Sequence, residues 1–247
     1  MLNVLSIDWD YFVHATAEQR LFLFPDSPNE LYSEETKNMI WAFRYAGSED
    51  LLKIKVDPLI YKVVSAIKSV PIIIIGESHR FAYSFVKDLM KRRGERSLYL
   101  LNIDYHHDCE DDIEDIPGDG SINVIEWLDC MDVPKNLHCG NWLRLLMEEV
   151  NGSYVWLGRK DSDKYKKAKK LRFIKNYNSA KIERTRWDMV YICRSDLWSP
   201  PHLDAEFTKV FKPLSDGCKA GATEDGIWEN RSVYLMKYRK PENNSSN

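Results

Sequence analysis

Five short, nearly uninterrupted apolar runs, each closed off by polar or turn-forming residues, constrain this chain more than any other feature: Leu2–Ile7, Val70–Ile75, Leu98–Ile103, Tyr154–Leu157 and Met189–Ile192. A strand open to water on one side would alternate apolar with polar residues, so runs of this kind match strands covered on both faces. Between them, apolar residues recur at helical spacing. Asp57-Pro58 opens one such segment, which continues to Val70 with Leu59, Ile60, Val63, Val64 and Ile67 on its inner side. Pro58 suits a first helical turn, where its missing N–H costs nothing. A second segment covers Arg80–Arg93 and stops at Gly94, and a third covers Ser121–Cys130. Strand alternating with helix predicts an α/β protein, a three-layer α/β/α arrangement with a mostly parallel sheet. Ligands of such sheets collect at the carboxyl ends of the strands.

The 247 residues are enough for one domain with a large core. We read 1–240 as a single catalytic α/β domain and the polar stretch 241–247 as a disordered tail. A net charge of −3 leaves no basic excess for a phosphate backbone, which argues against nucleic acid. The N-terminus enters directly into Leu2-Asn-Val-Leu-Ser-Ile, with no basic stretch, long apolar segment or cleavage site, so a cytoplasmic protein without a membrane span is expected. Five cysteines (Cys109, Cys130, Cys139, Cys193, Cys218) follow no C-x-x-C spacing and read as reduced thiols. The acidic run Glu110–Asp115 and the basic run Lys164–Lys170 read as solvated surface, and His14 and His202 as exposed loop residues.

Chemistry concentrates in Asp104-x-His106-x-Asp108, directly after the apolar run Leu98–Ile103. Alternate residues of an extended segment point to one side, so the three side chains should converge. Crowding two carboxylates and an imidazole at a strand end is costly unless a cation takes their charge and lone pairs. The competing reading is an ordinary polar loop with surface histidines. Two further strand ends weigh against it: Ile72-Ile-Ile-Ile-Gly-Glu77-Ser-His79, and Val4-Leu-Ser-Ile-Asp8-Trp-Asp10. Together they offer Asp8, Asp10, His79, Asp104, His106 and Asp108, an oxygen-rich set suited to two divalent ions and to manganese more than zinc.

The order His79, then Asp104-x-His106-x-Asp108, then His138-Cys-Gly-Asn141 resembles the ureohydrolases, the arginase and agmatinase superfamily. Members carry a Gly-Gly-Asp-His segment, an Asp-Ala-His-x-Asp segment, a His-Gly segment and a late Ser-x-Asp-x-Asp-x-x-Asp-Pro motif. Gly76-Glu77-Ser78-His79 departs from the first at two positions, and Cys139 interrupts the third. The late motif finds only Cys193-Arg194-Ser195-Asp196, while Ser6-Ile-Asp8-Trp-Asp10 stands at the N-terminus. That displacement is similar to a circularly permuted branch that includes the peptide arginases, which convert arginine to ornithine within ribosomally made peptides.

The resemblance implies an arginase/deacetylase-like fold and two Mn2+ ions held by Asp8, Asp10, His79, Asp104, His106 and Asp108, with Asp8 and Asp104 bridging. It implies water activated at the metals, a guanidinium of an arginine-containing precursor peptide as substrate, and urea as product. His138 would shuttle the proton, or be a loop histidine before a helix. Glu77, then Asp196 and Glu49, are the candidate partners of the substrate cation, with Glu77 alternatively supporting a ligand histidine. Asn141 and Arg194 are candidate substrate contacts, Arg194 equally a structural ion pair. The eight Trp and thirteen Tyr would form core or line a peptide groove. The competing functions are a deacetylase-like metal amidohydrolase on the same scaffold, a haloacid-dehalogenase-type phosphatase built on Asp8 and Asp10, and a non-catalytic peptide-binding module. The oligomeric state is left open by the sequence.

Overall fold

The computed structural model describes residues 1–23, 34–111, 134, 136–162 and 170–215. The expected helix Ser121–Cys130 and the tail 241–247 lie outside the described residues, as does nearly all of the basic run. Eight strands are described: β1 (Leu2–Asp8), β2 (Val13–His14), β3 (Lys55–Val56), β4 (Ile73–Gly76), β5 (Leu98–Ile103), β6 (Gly152–Leu157), β7 (Leu171–Ile174) and β8 (Met189–Cys193). Six of them form one sheet in the order β4-β8-β1-β5-β6-β7, and every pairing is parallel. β2 and β3 make a separate antiparallel pair.

Successive side chains of each strand enter two different cores, which is why the runs show no polar alternation. Leu5, Ile7, Ile73, Ile75, Leu101, Ile103, Val190 and Ile192 face one layer. That layer includes helices α3 (Leu59–Ile67) and α7 (Asp204–Ser215). Leu2, Val4, Ile74, Leu98, Leu100, Met189 and Tyr191 face the other, with α4 (Arg80–Arg93) and α5 (Trp142–Glu149). The molecule is therefore a three-layer α/β/α structure. α1 (Ala17–Leu23), α2 (Glu34–Gly47) and the single turn α6 (Tyr177–Ala180) complete the helices used below.

Local signals place the helix ends. Asp57 Oδ1 accepts from the Leu59 N–H at 2.9 Å and holds the first turn of α3. α4 ends where Gly94 takes a left-handed φ of 64°, while the Gly94 and Glu95 N–H groups return to Lys91 and Met90. Only a residue without Cβ adopts that conformation freely. α3 stops at Ile67, short of Val70, and β4 starts at Ile73, so the shared apolar stretch divides between the two. β7, absent from the sequence reading, is a half-exposed edge strand whose only β-like signal is Leu171-Arg-Phe-Ile174. Among the described residues most aromatic side chains are core: Trp9 is fully buried and meets Phe207 and Phe211 edge-on at 5.1 and 5.8 Å. No helix among the described residues is long and apolar enough to cross a membrane.

Candidate metal centre

Register builds the centre. Cys193 pairs with Gly76 on one side and with Asp8 on the other, and Ile7 pairs with Ile103, so Asp104 follows one step beyond. Paired residues of a parallel ladder point to the same face, so Gly76, Cys193, Asp8 and Asp104 form one row at the carboxyl edge of the sheet. The row beneath it, two residues back, contains Tyr191, Ser6, Asn102 and Trp156. These four are the buttress. Ser6 Oγ lies 3.0 Å from His79 Nε2, Asn102 Nδ2 donates to Asp104 and Asp108 at 3.1 and 3.2 Å, Trp156 Nε1 donates to the Asp104 carbonyl, and Tyr191 Oη donates to the Ser78 carbonyl. Glycine is required at 76, because a Cβ there would stand 2.4 Å from Tyr191 Oη.

All six expected ligands come together, in two groups. His79 Nδ1 faces Asp8 Oδ2 and Asp104 Oδ2 at 3.2 Å and Asp108 Oδ2 at 3.3 Å. His106 Nδ1 faces Asp10 Oδ2 at 3.0 Å and Asp104 Oδ1 at 3.8 Å. Asp104 thus belongs to both groups, as expected for a bridging carboxylate. Asp8 does not reach the second group: its Oδ1 accepts from the Asp10 N–H at 2.9 Å and its Oδ2 from Ser195 Oγ at 2.6 Å.

The route to this convergence differs from extended alternation. Strand β5 ends at Ile103, and Asp104–Asp108 is a bend that closes with Asp108 at a φ of 53°. The turn returns Asp108 toward Asp104 and directs His106 to Asp10. The Asp108 carbonyl accepts the Leu143 and Arg144 N–H groups, so the start of α5 holds the bend, and Trp142 Nε1 donates to Asp108 Oδ2 at 2.6 Å. Residues 9–12 likewise form a 3₁₀ turn capped by Asp8, which separates Asp8 from Asp10 and assigns one to each group.

The electrostatics are those of a cluster short of positive charge. Burial and the neighbouring acids Asp10 and Asp104 push Asp8 up to about 7, and burial with Asp108 pushes Asp104 up to about 8. Burial alone would hold His106 down, but the carboxylates, Asp10 first, carry it up to about 10. His79 is likewise raised well above the usual imidazole value, against its burial, through Cys193 and Asp8 first. Asp10 is 1% exposed, yet neither oxygen has a partner in hydrogen-bond geometry among the described residues. A buried carboxylate left in that condition, among three others and two imidazoles, fits a cation. Donor atoms of Asp10, Asp104 and His106 lie within 4.8 Å of one another, as do those of His79, Asp104 and Asp108, while Asp8 lies in such a group with His79 and Cys193.

The remaining expected site residues have other partners. Glu77 accepts from Arg194 Nε at 2.7 Å, and Arg194, fully buried, also faces Asp204 at 3.6 Å. Arg194 is therefore a structural ion pair, and Glu77 holds the chain's own guanidinium. Asp196 pairs with Lys37 at 2.8 Å, and its carbonyl accepts from Trp41. Asn141 accepts from the His138 N–H and donates to the Asn136 carbonyl, which fixes the loop before α5. His138 is buried and its Nδ1 accepts from the Gly140 N–H. Glu49 lies in a 3₁₀ turn, Glu49–Lys53. His202 is not an exposed loop residue: its ring meets Tyr45 Oη and the Ile54 carbonyl at 2.9 and 3.0 Å.

Sequence reasoning passed over Ser6, Asn102, Trp142, Trp156 and Ser195. Ser6 and Asn102 carried a signal, since each is a polar residue inside an otherwise apolar run. Glu110 is exposed, in keeping with a solvated run, and its carboxylate lies over Gly140, where a Cβ would meet Oε2 at 2.4 Å. No family model, curated protein or solved structure matches this chain.

Proposed function

We propose that this protein is a dinuclear metal hydrolase that cleaves the guanidinium of an arginine side chain, within a peptide, to an ornithine side chain and urea. The observation that carries the reading is the division of Asp104: one oxygen is 3.2 Å from His79 and the other 3.8 Å from His106, so one buried carboxylate joins two ligand groups. His79, Asp8, Asp104 and Asp108 would hold one ion, and His106, Asp10 and Asp104 the other. An oxygen-rich set with one imidazole on each side favours manganese. When bound, two such ions supply Lewis acidity, which lowers the pKa of water and polarises the carbon under attack.

The order of segments, with its likeness to the ureohydrolases, supports guanidinium chemistry over the other metal hydrolyses. The acidic cluster draws a cation that cannot shed its charge. Since Glu77 and Asp196 are engaged by Arg194 and Lys37, we assign Glu110 to the substrate guanidinium; its charge acts on His106, the more exposed of the two ligand histidines. Proton delivery to the departing amine is assigned to His138. With Nδ1 accepting from Gly140, a neutral His138 carries its proton on Nε2. Burial of His79 and Asp104 keeps water away from the inner ligands.

The test is incubation with Mn2+ and either an arginine-containing peptide or free arginine, with urea assay and peptide mass. Urea with matching mass loss from the peptide is the expected result. Urea from free arginine alone overturns the peptide assignment. Bound metal without urea from either overturns the guanidinium reading and leaves the metal centre.

A further inference from the structure

The sheet row that delivers Asp8 and Asp104 also delivers a thiol that the proposed reaction does not use. Cys193 is the last residue of β8, paired with Asp8 on one side and with Gly76 on the other. The ladder points Cys193 and Asp8 to the same face, and Gly76 presents no side chain between Cys193 and the segment that runs to His79. A donor atom from each of Asp8, His79 and Cys193 lies within 4.8 Å of the other two. Cys193 is fully buried. Its Sγ is 3.2 Å from Ser195 Oγ and 3.5 Å from the Glu77 carbonyl, contacts that a sulfur exchanges readily for a cation.

We propose that Cys193 is a metal ligand on the His79 side, so that the two halves of the centre differ in softness. The inference rests on the dinuclear reading. Thiolate with imidazole and carboxylate selects zinc, cobalt or iron(II), whereas the group of Asp10, Asp104 and His106 contains no sulfur and favours manganese or magnesium. Binding replaces the S–H bond with a metal–sulfur bond and releases one proton to solvent, as coordinated thiols do. Ser195, which donates to Asp8, has Sγ 3.2 Å away and so orients both donors. Ser195 takes a left-handed φ of 50°.

The experiment titrates the metal-free full-length protein with Co2+ and follows visible and near-ultraviolet absorption. The expected result is a thiolate-to-cobalt charge-transfer band that saturates with one ion per chain, beside ligand-field bands that report all bound cobalt. Cys193→Ser removes the charge-transfer band and retains the ligand-field bands; Cys193→Ala behaves alike, which rules out the serine hydroxyl as a substitute donor. Should the variants fail to fold, X-ray absorption of native protein loaded with one Zn2+ reads the same point, as a sulfur shell at about 2.3 Å. Two cobalt ions bound without a charge-transfer band, a band that survives Cys193→Ser, or a zinc shell of nitrogen and oxygen alone overturns the thiolate ligand and leaves the dinuclear centre intact. No cobalt bound at all overturns both.

Discussion

The two halves of the centre share Asp104 and differ in nearly everything else. On the His79 side the imidazole is 2% exposed, and each carboxylate is tied to the protein: Asp8 to Ser195 and the Asp10 N–H, Asp104 to Asn102, Asp108 to Asn102 and Trp142. On the His106 side the imidazole is 35% exposed, and Asp10 is held only through the His106 ring, 3.0 Å away, with no neutral donor on either oxygen among the described residues. The closed half is the better ordered: its side chains are held by the protein's own hydrogen bonds, which would leave little ordering to oppose a proposed ion. The open half is the side that meets solvent, and under the proposed function it is where substrate would enter. With two ions bound as proposed, the closed ion would be retained and the open ion would exchange.

The largest effect should come from the shared residue. Asp104→Ala removes a donor from both halves, and metal analysis after dialysis should fall from two ions per chain to none, with urea release lost. One retained ion would show that the halves are independent. Next, His106→Ala should leave one ion per chain, with the open half lost and the closed half intact. Equal loss of both ions would break the comparison.

Glu77→Ala should destabilise the fold without touching a donor. It leaves the fully buried Arg194 guanidinium without its nearest acid, a defect of about 3–5 kcal/mol in chemical denaturation. Metal stoichiometry should be kept below the unfolding midpoint, whereas a role confined to substrate binding would leave the midpoint unmoved. Trp142→Phe removes the donor to Asp108 and should weaken the closed ion alone by about 10- to 100-fold, read by competition with a chelator. An equal weakening of the open ion would mean that Asp108 serves both halves.

The smallest effect is on pH dependence. Asp8 and Asp104 rise from 3.8 to about 7 and 8, and His106 from 6.5 to about 10, so in each case the folded state binds protons more tightly than the unfolded one. A raised folded pKa gives stability that is complete below the unfolded value and fades as pH climbs through the folded one. Without metal, the melting temperature should therefore fall between pH 6 and pH 9, and the stabilisation by added Mn2+ should grow over the same range, as the ion replaces protons. A metal-free melting temperature that rises across this window would contradict the proton-rich cluster.

Much of the fold was legible because a buried parallel strand needs a particular composition. Leu98–Ile103 and Arg80–Arg93 match the observed elements residue for residue, one bounded by Asp104 and the other by Gly94. β7 escaped because an edge strand with half its side chains in water carries no such requirement. The clustering of the six candidate ligands was legible for a related reason: acids and imidazoles directly after apolar strands are costly without a cation. The roles of Glu77, Asp196 and Asn141 were not, because a carboxylate or amide reads the same in sequence whether it meets a substrate or an arginine, lysine or carbonyl of its own chain. Arg194 lies 117 residues from Glu77, and Lys37 is 159 residues from Asp196 (196 − 37).

By itself, then, the sequence determined the layers, the parallel sheet and which side chains stand at the strand ends, since these follow from the spacing of apolar residues and from the cost of burying charge. The tertiary structure alone decided how the donors divide. The bend at Asp104–Asp108 and the 3₁₀ turn after Asp8 separate neighbours in sequence into different groups, and the register of β8 with β1 brings Cys193 beside Asp8. Register and turn geometry arise from packing across the whole sheet, and no local spacing encodes them.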